Sequence, residues 1–253
     1  MKTQLIYVIA LLAALSACTP QAQVVTLRGS NVQPAADGFV LDTDTLTLRY
    51  SFSSERGQMV VSLVNKLDRP LYVDWKRSSF IIGEDKMDYW TDVADVNLAT
   101  SSYTSRYWRY TVGSVAGTIS KDDAVSFIPP RTRLEKRRFV VVPNGALRLT
   151  GTPTVRNERA NWNPERKKPI DVAVYTYEPS ESPLRFRNYL TLSTDKDFRT
   201  EFHLDTSFWA AGVEVMPKLQ VLGPMVQQFN GTYSAQLPFK KNDGFYIPMP
   251  TQQ

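Results

Sequence analysis

One histidine, His203, and one cysteine, Cys18, are the chain's whole supply of the two side chains most used to bind transition metals. Zinc and copper centres ordinarily gather several such groups around one ion, so neither a metal nor a cofactor is expected. A single cysteine also excludes an internal disulfide. Long apolar runs are scarce as well. The longest, residues 5–17, has thirteen residues, whereas a membrane-spanning helix needs about 20. A sustained i, i+3, i+4 apolar pattern is missing, which predicts few and short helices. Internal repeats, heptads and low-complexity tracts are absent too.

What remains is an ordinary globular composition. Of 253 residues, 42% are hydrophobic and 22% charged, enough apolar material for a substantial core. The net charge of +5 favours anionic partners.

The N-terminus reads as an export signal: Lys2 supplies the positive start and the apolar run follows. Residues 1–17 are therefore expected to be a signal peptide. In an exported chain the lone thiol of Cys18 is free, intermolecular or modified. Leu15-Ser16-Ala17-Cys18 resembles the lipobox of bacterial lipoproteins, which implies a lipid on the Cys18 sulfur and cleavage just before it. A plain secretory cut after Ser16 also satisfies the small-x-small rule at Ala14 and Ser16, but it would strand a reactive thiol beside the cut. With two or three acyl chains the attachment would be stable. Residues 18–38, rich in Gln, Ala, Asn and Pro, are expected to form the lipidated cysteine and a linker with some structure at Val24-Val25-Thr26-Leu27, reaching about 25 Å as a flexible coil. Thr19-Pro20-Gln21-Ala22-Gln23 contains no Asp or Glu, unlike the acidic cluster that follows the cysteine in surface-exported lipoproteins of Bacteroidota. The resemblance thus implies the periplasmic face of the outer membrane, with the cell surface as the alternative. Nucleic acid is not an expected partner there.

From Phe39 onward the apolar period is two. In "LTLRYSF", Leu46, Leu48, Tyr50 and Phe52 share one side. "GQMVVSLVNKLDRPLYVDW" predicts two strands joined by a hairpin turn, with Pro70 at the second strand's start, where its missing N–H is harmless. Leu71, Val73 and Trp75 then face the core together. Many such short strands predict an all-β, immunoglobulin-like β-sandwich over residues 39–222, with long loop insertions and a C-terminal tail, residues 223–253. The insertions are an aromatic loop at 84–112 and a basic loop at 156–169.

"SLVNKLDRPLYVDWKRSSFIIG" (62–83), "SFIPPRTRLEKRRF" (126–139) and "SPLRFRNYLTLSTDKDFRTEFHLDTSFW" (182–209) are similar to stretches of uncharacterised outer-membrane lipoproteins common in Bacteroidota. The resemblance covers most of the mature chain in separate blocks. It implies a compartment and no activity, and only Cys18 carries a role across.

Catalytic residues are not expected. A Ser-His-carboxylate set can be assembled from Ser193 or Ser207, His203 and Asp195, Asp197 or Asp205, but no G-x-S-x-G elbow presents a nucleophile. Ser193-Thr194-Asp195-Lys196 matches S-x-x-K without its companion motifs. Asp85, Asp88, Asp92 and Asp95 lack the spacing of a calcium loop. The aromatic loop is the strongest binding candidate: Tyr89, Trp90, Tyr103, Tyr107, Trp108 and Tyr110 stand among polar residues, as rings that meet sugar faces or protein hot spots do. Packing of those rings is the rival reading. Two basic runs, Arg131 to Arg138 and Arg156 to Lys168, suit envelope anions, although alternate members of a strand point apart. The expected role is that of a lipid-anchored, non-catalytic interaction or structural protein. A glycan or lipopolysaccharide binder is the alternative, and a hydrolase around His203 the third reading.

Overall fold

The computed structural model describes residues 19–92, 95–104, 111–120, 123–163, 165 and 169–249; over 95–104 and 111–120 the description is of the backbone. Cys18 and the signal segment lie outside the described residues. In chain order the strands are β1 (Gln21–Gly29), β2 (Gln33–Ala35), β3 (Gly38–Asp42), β4 (Leu46–Ser51), β5 (Gln58–Asn65), β6 (Leu71–Ile82), β7 (Asp85–Asp88), β8 (Asp95–Thr104) and β9 (Thr111–Ser120). They continue as β10 (Val125–Ile128), β11 (Arg133–Val140), β12 (Thr154–Glu158), β13 (Ile170–Thr176), β14 (Arg185–Ser193), β15 (Glu201–Pro217), β16 (Met225–Gln227), β17 (Tyr233–Ala235) and β18 (Gly244–Pro248). Among the described residues one short helix, α1 (Lys218–Leu222), follows β15.

The fold is all-β, and its strands pair antiparallel. The larger sheet runs β10-β6-β14-β15-β1-β18, with β7 beside β6, β13 beside β15 and β12 beside β13. The smaller runs β11-β5-β4-β3-β2. Their facing sides share one apolar core. Phe208 of β15 is its hub, with ring centroids 5.4 Å from Phe39, 5.1 Å from Tyr50 and Phe52, and 5.2 Å from Phe186. The period-two pattern accounts for this directly, since Leu46, Leu48 and Tyr50 of β4 all point inward and are buried. Gly38 is required where β3 begins: at φ +137 a Cβ would collide with the Tyr50 carbonyl.

Two buried polar devices fix how the sheets meet. The Tyr89 hydroxyl donates to Asn188 Oδ1 at 2.6 Å, and Asn188 Nδ2 donates to the Tyr50 hydroxyl at 2.9 Å, which joins β14 to β4 through the core. Asn65 holds the point where the chain changes sheets. Its Nδ2 donates to the carbonyls of Arg69, Ile128 and Pro129, and its Oδ1 accepts from the Leu67 N–H. The turn after β5 is therefore an arch from the smaller sheet to the larger, not the hairpin that the sequence predicts. Trp75 is buried between the sheets as expected. Its indole N–H donates to Ser126 Oγ at 2.7 Å, and its ring lies 5.0 Å from that of Tyr89.

Four expectations about organisation need correcting. Residues 18–38 are not a linker, because Gln21–Gly29 is β1, paired with β15 on one side and β18 on the other. Nor do the described residues of the expected tail, 223–249, simply lie over the body: β18 is a strand of the large sheet whose Phe245 and Ile247 are fully buried. The segment 84–112 is strand rather than loop over much of its length, with β7 on β6 and β8 paired to β9. The presumed basic loop begins as β12, paired with β13. The reason for the first two is that β1 and β18 are buried on both faces, so they lack the alternation that marks a half-buried strand. Val25 and Phe245 face the main core; Val24 and Tyr246 face a second, smaller cluster with Ile170, Val172, Met216 and Leu222.

Replacing Trp75 by Ala should cost about 3–5 kcal/mol, read as a lower urea midpoint. Alkali should also destabilise the fold. Burial pushes Tyr50 up to about 12 and raises Tyr89, against about 10 in the unfolded chain. Both hold their protons longer when folded, so stability is intact below pH 10 and falls as pH rises towards 12. Tyr50 contributes roughly 2–3 kcal/mol of that loss. Urea midpoints across this window should fall more steeply for the parent chain than for Tyr50→Phe.

Candidate functional site

The outer face of the large sheet is divided. Near the ends of β1, β15 and β18 it is covered by the second apolar cluster, with α1 and the residues around Ala160. Where β6, β14 and the first half of β15 run together it is open, and alternation places there the residues opposite in parity to the core. Register sets them in rows: Arg185 opposite Trp209, Arg187 opposite Ser207, Tyr189 opposite Asp205, Thr191 opposite His203 and Ser193 opposite Glu201. On the far side of β15, Arg28 of β1 is opposite Trp209. The indole thus lies between two arginines from neighbouring strands.

The lower rows are tied together by charge. Arg77 donates from Nε to Asp74 at 2.7 Å and from Nη1 to Glu201 at 2.5 Å, and these two carboxylates, Asp74 first, raise the Arg77 pKa further. The other Glu201 oxygen lies 3.1 Å from His203 Nε2. The imidazole is stacked on Tyr189 at 5.2 Å, with Nδ1 3.3 Å from Thr191 Oγ1. Arg187 pairs with Asp205 at 2.9 Å. His203 is therefore one member of a laced surface network.

The upper rows line depressions in this face. One of about 740 Å³ is bounded by Ser30, Glu84, Pro179, Arg185, Arg187 and Trp209. A second of about 470 Å³ shares Trp209 and Pro179 and continues past Arg28 to Tyr175 and Glu214. A third of about 510 Å³ shares Glu84 and Arg187 and reaches Arg77 and Tyr189. Through these shared residues the three adjoin one another across β6, β14, β15, β1 and β13. Arg28 is paired with Asp243 at 3.2 Å. The exposed Arg185 guanidinium has no partner among the described residues.

The residues expected to bind from the aromatic loop fare differently. Tyr89 is buried, with its hydroxyl on Asn188 and its ring 4.8 Å from Phe139, so its ring packs the core and presents nothing to a ligand. Trp90 is half-buried against the same core, with the Lys76 ammonium 5.6 Å from its ring centre. Tyr103 lies on β8 opposite Val112, its side chain outside the description; Tyr107, Trp108 and Tyr110 lie outside the described residues, as do Arg166, Lys167 and Lys168.

The basic runs separate. Arg131 pairs with Asp68, Arg137 with Glu135 and Arg156 with Glu214, while Lys136 turns inward to within 5.6 Å of the Trp75 ring centre. Of the serines considered for His203, Ser193 is buried against Thr200 and the Asp195 N–H. Ser207 lies four residues along the strand, about 13 Å away. The hydroxyl beside the imidazole belongs to buried Thr191 and donates to the Arg77 carbonyl. Asp88 pairs with Lys86, and no group of three possible metal ligands occurs among the described residues.

Sequence reasoning missed Glu201, Arg77, Arg185 and Trp209. Glu201 was within reach, because it precedes His203 by two in a strand and so shares its face. The others needed register. No family model, curated protein or solved structure matches the chain.

Breaking the lower network should cost stability in a salt-sensitive way. Arg77→Ala leaves Asp74 buried without its cation, and about 1 kcal/mol is expected, allowing for the screening of a partly exposed pair. Thermal melts in low and high salt check this: the variant should differ from the parent less in high salt, and Arg131→Ala, at a fully exposed pair, should melt like the parent.

Proposed function

We propose that this chain is a lipid-anchored cell-envelope protein with a non-catalytic interaction role, held by Cys18 at the periplasmic face of the outer membrane. Its contact surface is the open face of the large sheet. The observation that carries this reading is the row Arg28–Trp209–Arg185, in which an indole bordering two depressions stands between two guanidiniums, one of them unpartnered among the described residues. Such a row fits a partner that combines a flat polar surface with carboxylate or phosphate groups. Ring stacking and bidentate hydrogen bonding would act side by side. This supports an envelope glycan, peptidoglycan or lipopolysaccharide, as the ligand, with the contact moved from the aromatic loop to the sheet face. The lipobox and the apolar leader support the location. The two facing antiparallel sheets with a tryptophan buried between them support the immunoglobulin-like assignment, with no disulfide behind that ring.

The full chain carrying Trp209→Ala and Arg185→Ala should be retained about tenfold less on purified peptidoglycan or lipopolysaccharide, equivalent to about 1.4 kcal/mol, with an unchanged melting temperature. Equal retention would remove the glycan reading and leave a protein partner for the same face. In parallel, Cys18→Ser should lose membrane fractionation; normal attachment of that variant would overturn the anchor.

A further inference from the structure

Residues 223–239 form seventeen consecutive positions without a charge, in a chain where 22% of residues are Asp, Glu, Lys or Arg. They fold into a small hairpin of β16 and β17. Its base is closed by the Gln236 N–H on the Pro224 carbonyl at 3.0 Å and the Leu237 N–H on the Leu222 carbonyl at 2.9 Å. Its tip is closed by the Gln228 N–H on the Thr232 carbonyl at 2.7 Å.

Four of the seven exposed large hydrophobics among the described residues sit on this hairpin: Met225, Val226, Tyr233 and, at the tip, Phe229, whose ring is fully exposed. A two-stranded hairpin with three-residue strands has little stability of its own in water, and this one turns its apolar side chains outward. Lysines flank the uncharged stretch, Lys218 before it and Lys240 and Lys241 after it.

Its place in the fold names the occupant. Gln21 is opposite Pro217 at the end of the β1–β15 ladder, and the Lys218 N–H donates to the Pro20 carbonyl at 2.8 Å. The chain thus leaves the body towards Cys18 where α1 begins, and Leu222 at the other end of α1 holds the base of the hairpin. Only Thr19 and Pro20 separate Cys18 from β1, a reach of about 10 Å at most.

We propose that the hairpin is a membrane contact: Phe229, with Met225, Val226 and Tyr233, enters the interfacial layer of the bilayer that holds the Cys18 lipid, while the flanking lysines meet anionic headgroups. This rests on the lipid-anchor reading of Cys18. The hairpin is too short to cross the bilayer and acts as a second, shallow point of attachment that stops the body from swivelling about its anchor.

The test uses the full chain extracted from envelopes, carrying Phe229→Cys and labelled there with an environment-sensitive fluorophore, since a lipidated Cys18 offers no thiol. On vesicles of phosphatidylethanolamine and phosphatidylglycerol the emission should shift to the blue and be quenched by shallow lipid-borne quenchers. A label at Arg131→Cys should do neither. A water-like emission at 229 from vesicle-bound protein overturns the proposal, as does a blue shift that needs no vesicles and grows with protein concentration, which would place a second copy there. Labelling of the parent chain would overturn the anchor instead. The Phe229→Cys readout in a Cys18→Ser background then still decides the hairpin, through vesicle-dependent emission that Phe229→Cys shows and Arg131→Cys lacks.

Discussion

The buried hydrogen bonds from Tyr89 through Asn188 to Tyr50 constrain everything built on this sandwich. An apolar interface between two sheets tolerates sliding, because one aliphatic contact is much like another. A buried amide does not: displaced by one residue, it would strand polar atoms in the core at a cost of about 1–3 kcal/mol each. Asn188 therefore sets β14 against β4. Because β14 alternates strictly here, fixing Asn188 inward fixes Arg187 and Tyr189 outward and so determines the composition of the open face.

Strand β15 carries that constraint across the molecule. Its first half pairs with β14 and its second with β1 and β13. Between Thr26 opposite Gly212 and Leu27 opposite Ala210, Ala211 has no opposite residue. That bulge shifts the parity, so that Phe208 and Ala210 before it and Val213 after it all reach the main core. One strand can thus hold an open polar face at one end and be covered on both sides at the other.

Legibility followed burial on one side or two. Strand β4 was readable because it has one wet face and one dry face, and the start of β6 because Leu71, Val73 and Trp75 point inward together, which is why Trp75 and its neighbours could be placed from period alone. Strands β1 and β18 were not: "QAQVVTL" and "GFYIP" lack a clean alternation, and their Gln and Pro resemble linker composition. Tyr89 misled for a different reason. Its neighbours in sequence are polar, but its neighbours in space are Trp75, Phe139 and the amide of Asn188, and a tyrosine whose hydroxyl finds a partner is a good core residue. The row around Trp209 was invisible because it joins three strands far apart in sequence, whereas Glu201 beside His203 could have been found by counting two.

Distance along β15 bears on which envelope glycan the proposed contact face would meet. Pro217 marks the end at which β1 begins, nearest the proposed anchor, and Trp209 and Glu201 lie eight and sixteen residues from it, about 26 Å and 53 Å at 3.3 Å per residue. With two residues of tether to a lipidated Cys18 and the hairpin seated in the interface as proposed, the body would have little freedom to turn that face back to the bilayer. On the proposed orientation, lipopolysaccharide phosphates lie beyond the opposite leaflet, out of reach of Arg185 and Trp209. On the same orientation peptidoglycan would lie on the side into which β15 projects, and its peptide stems carry the carboxylates that a guanidinium such as Arg185 can pair with. On the proposed anchoring, the cell-wall polymer would be favoured over the outer-leaflet lipid, because β15 runs from Pro217, beside the start of β1, past Trp209 to Glu201 and so would carry the open face away from the bilayer.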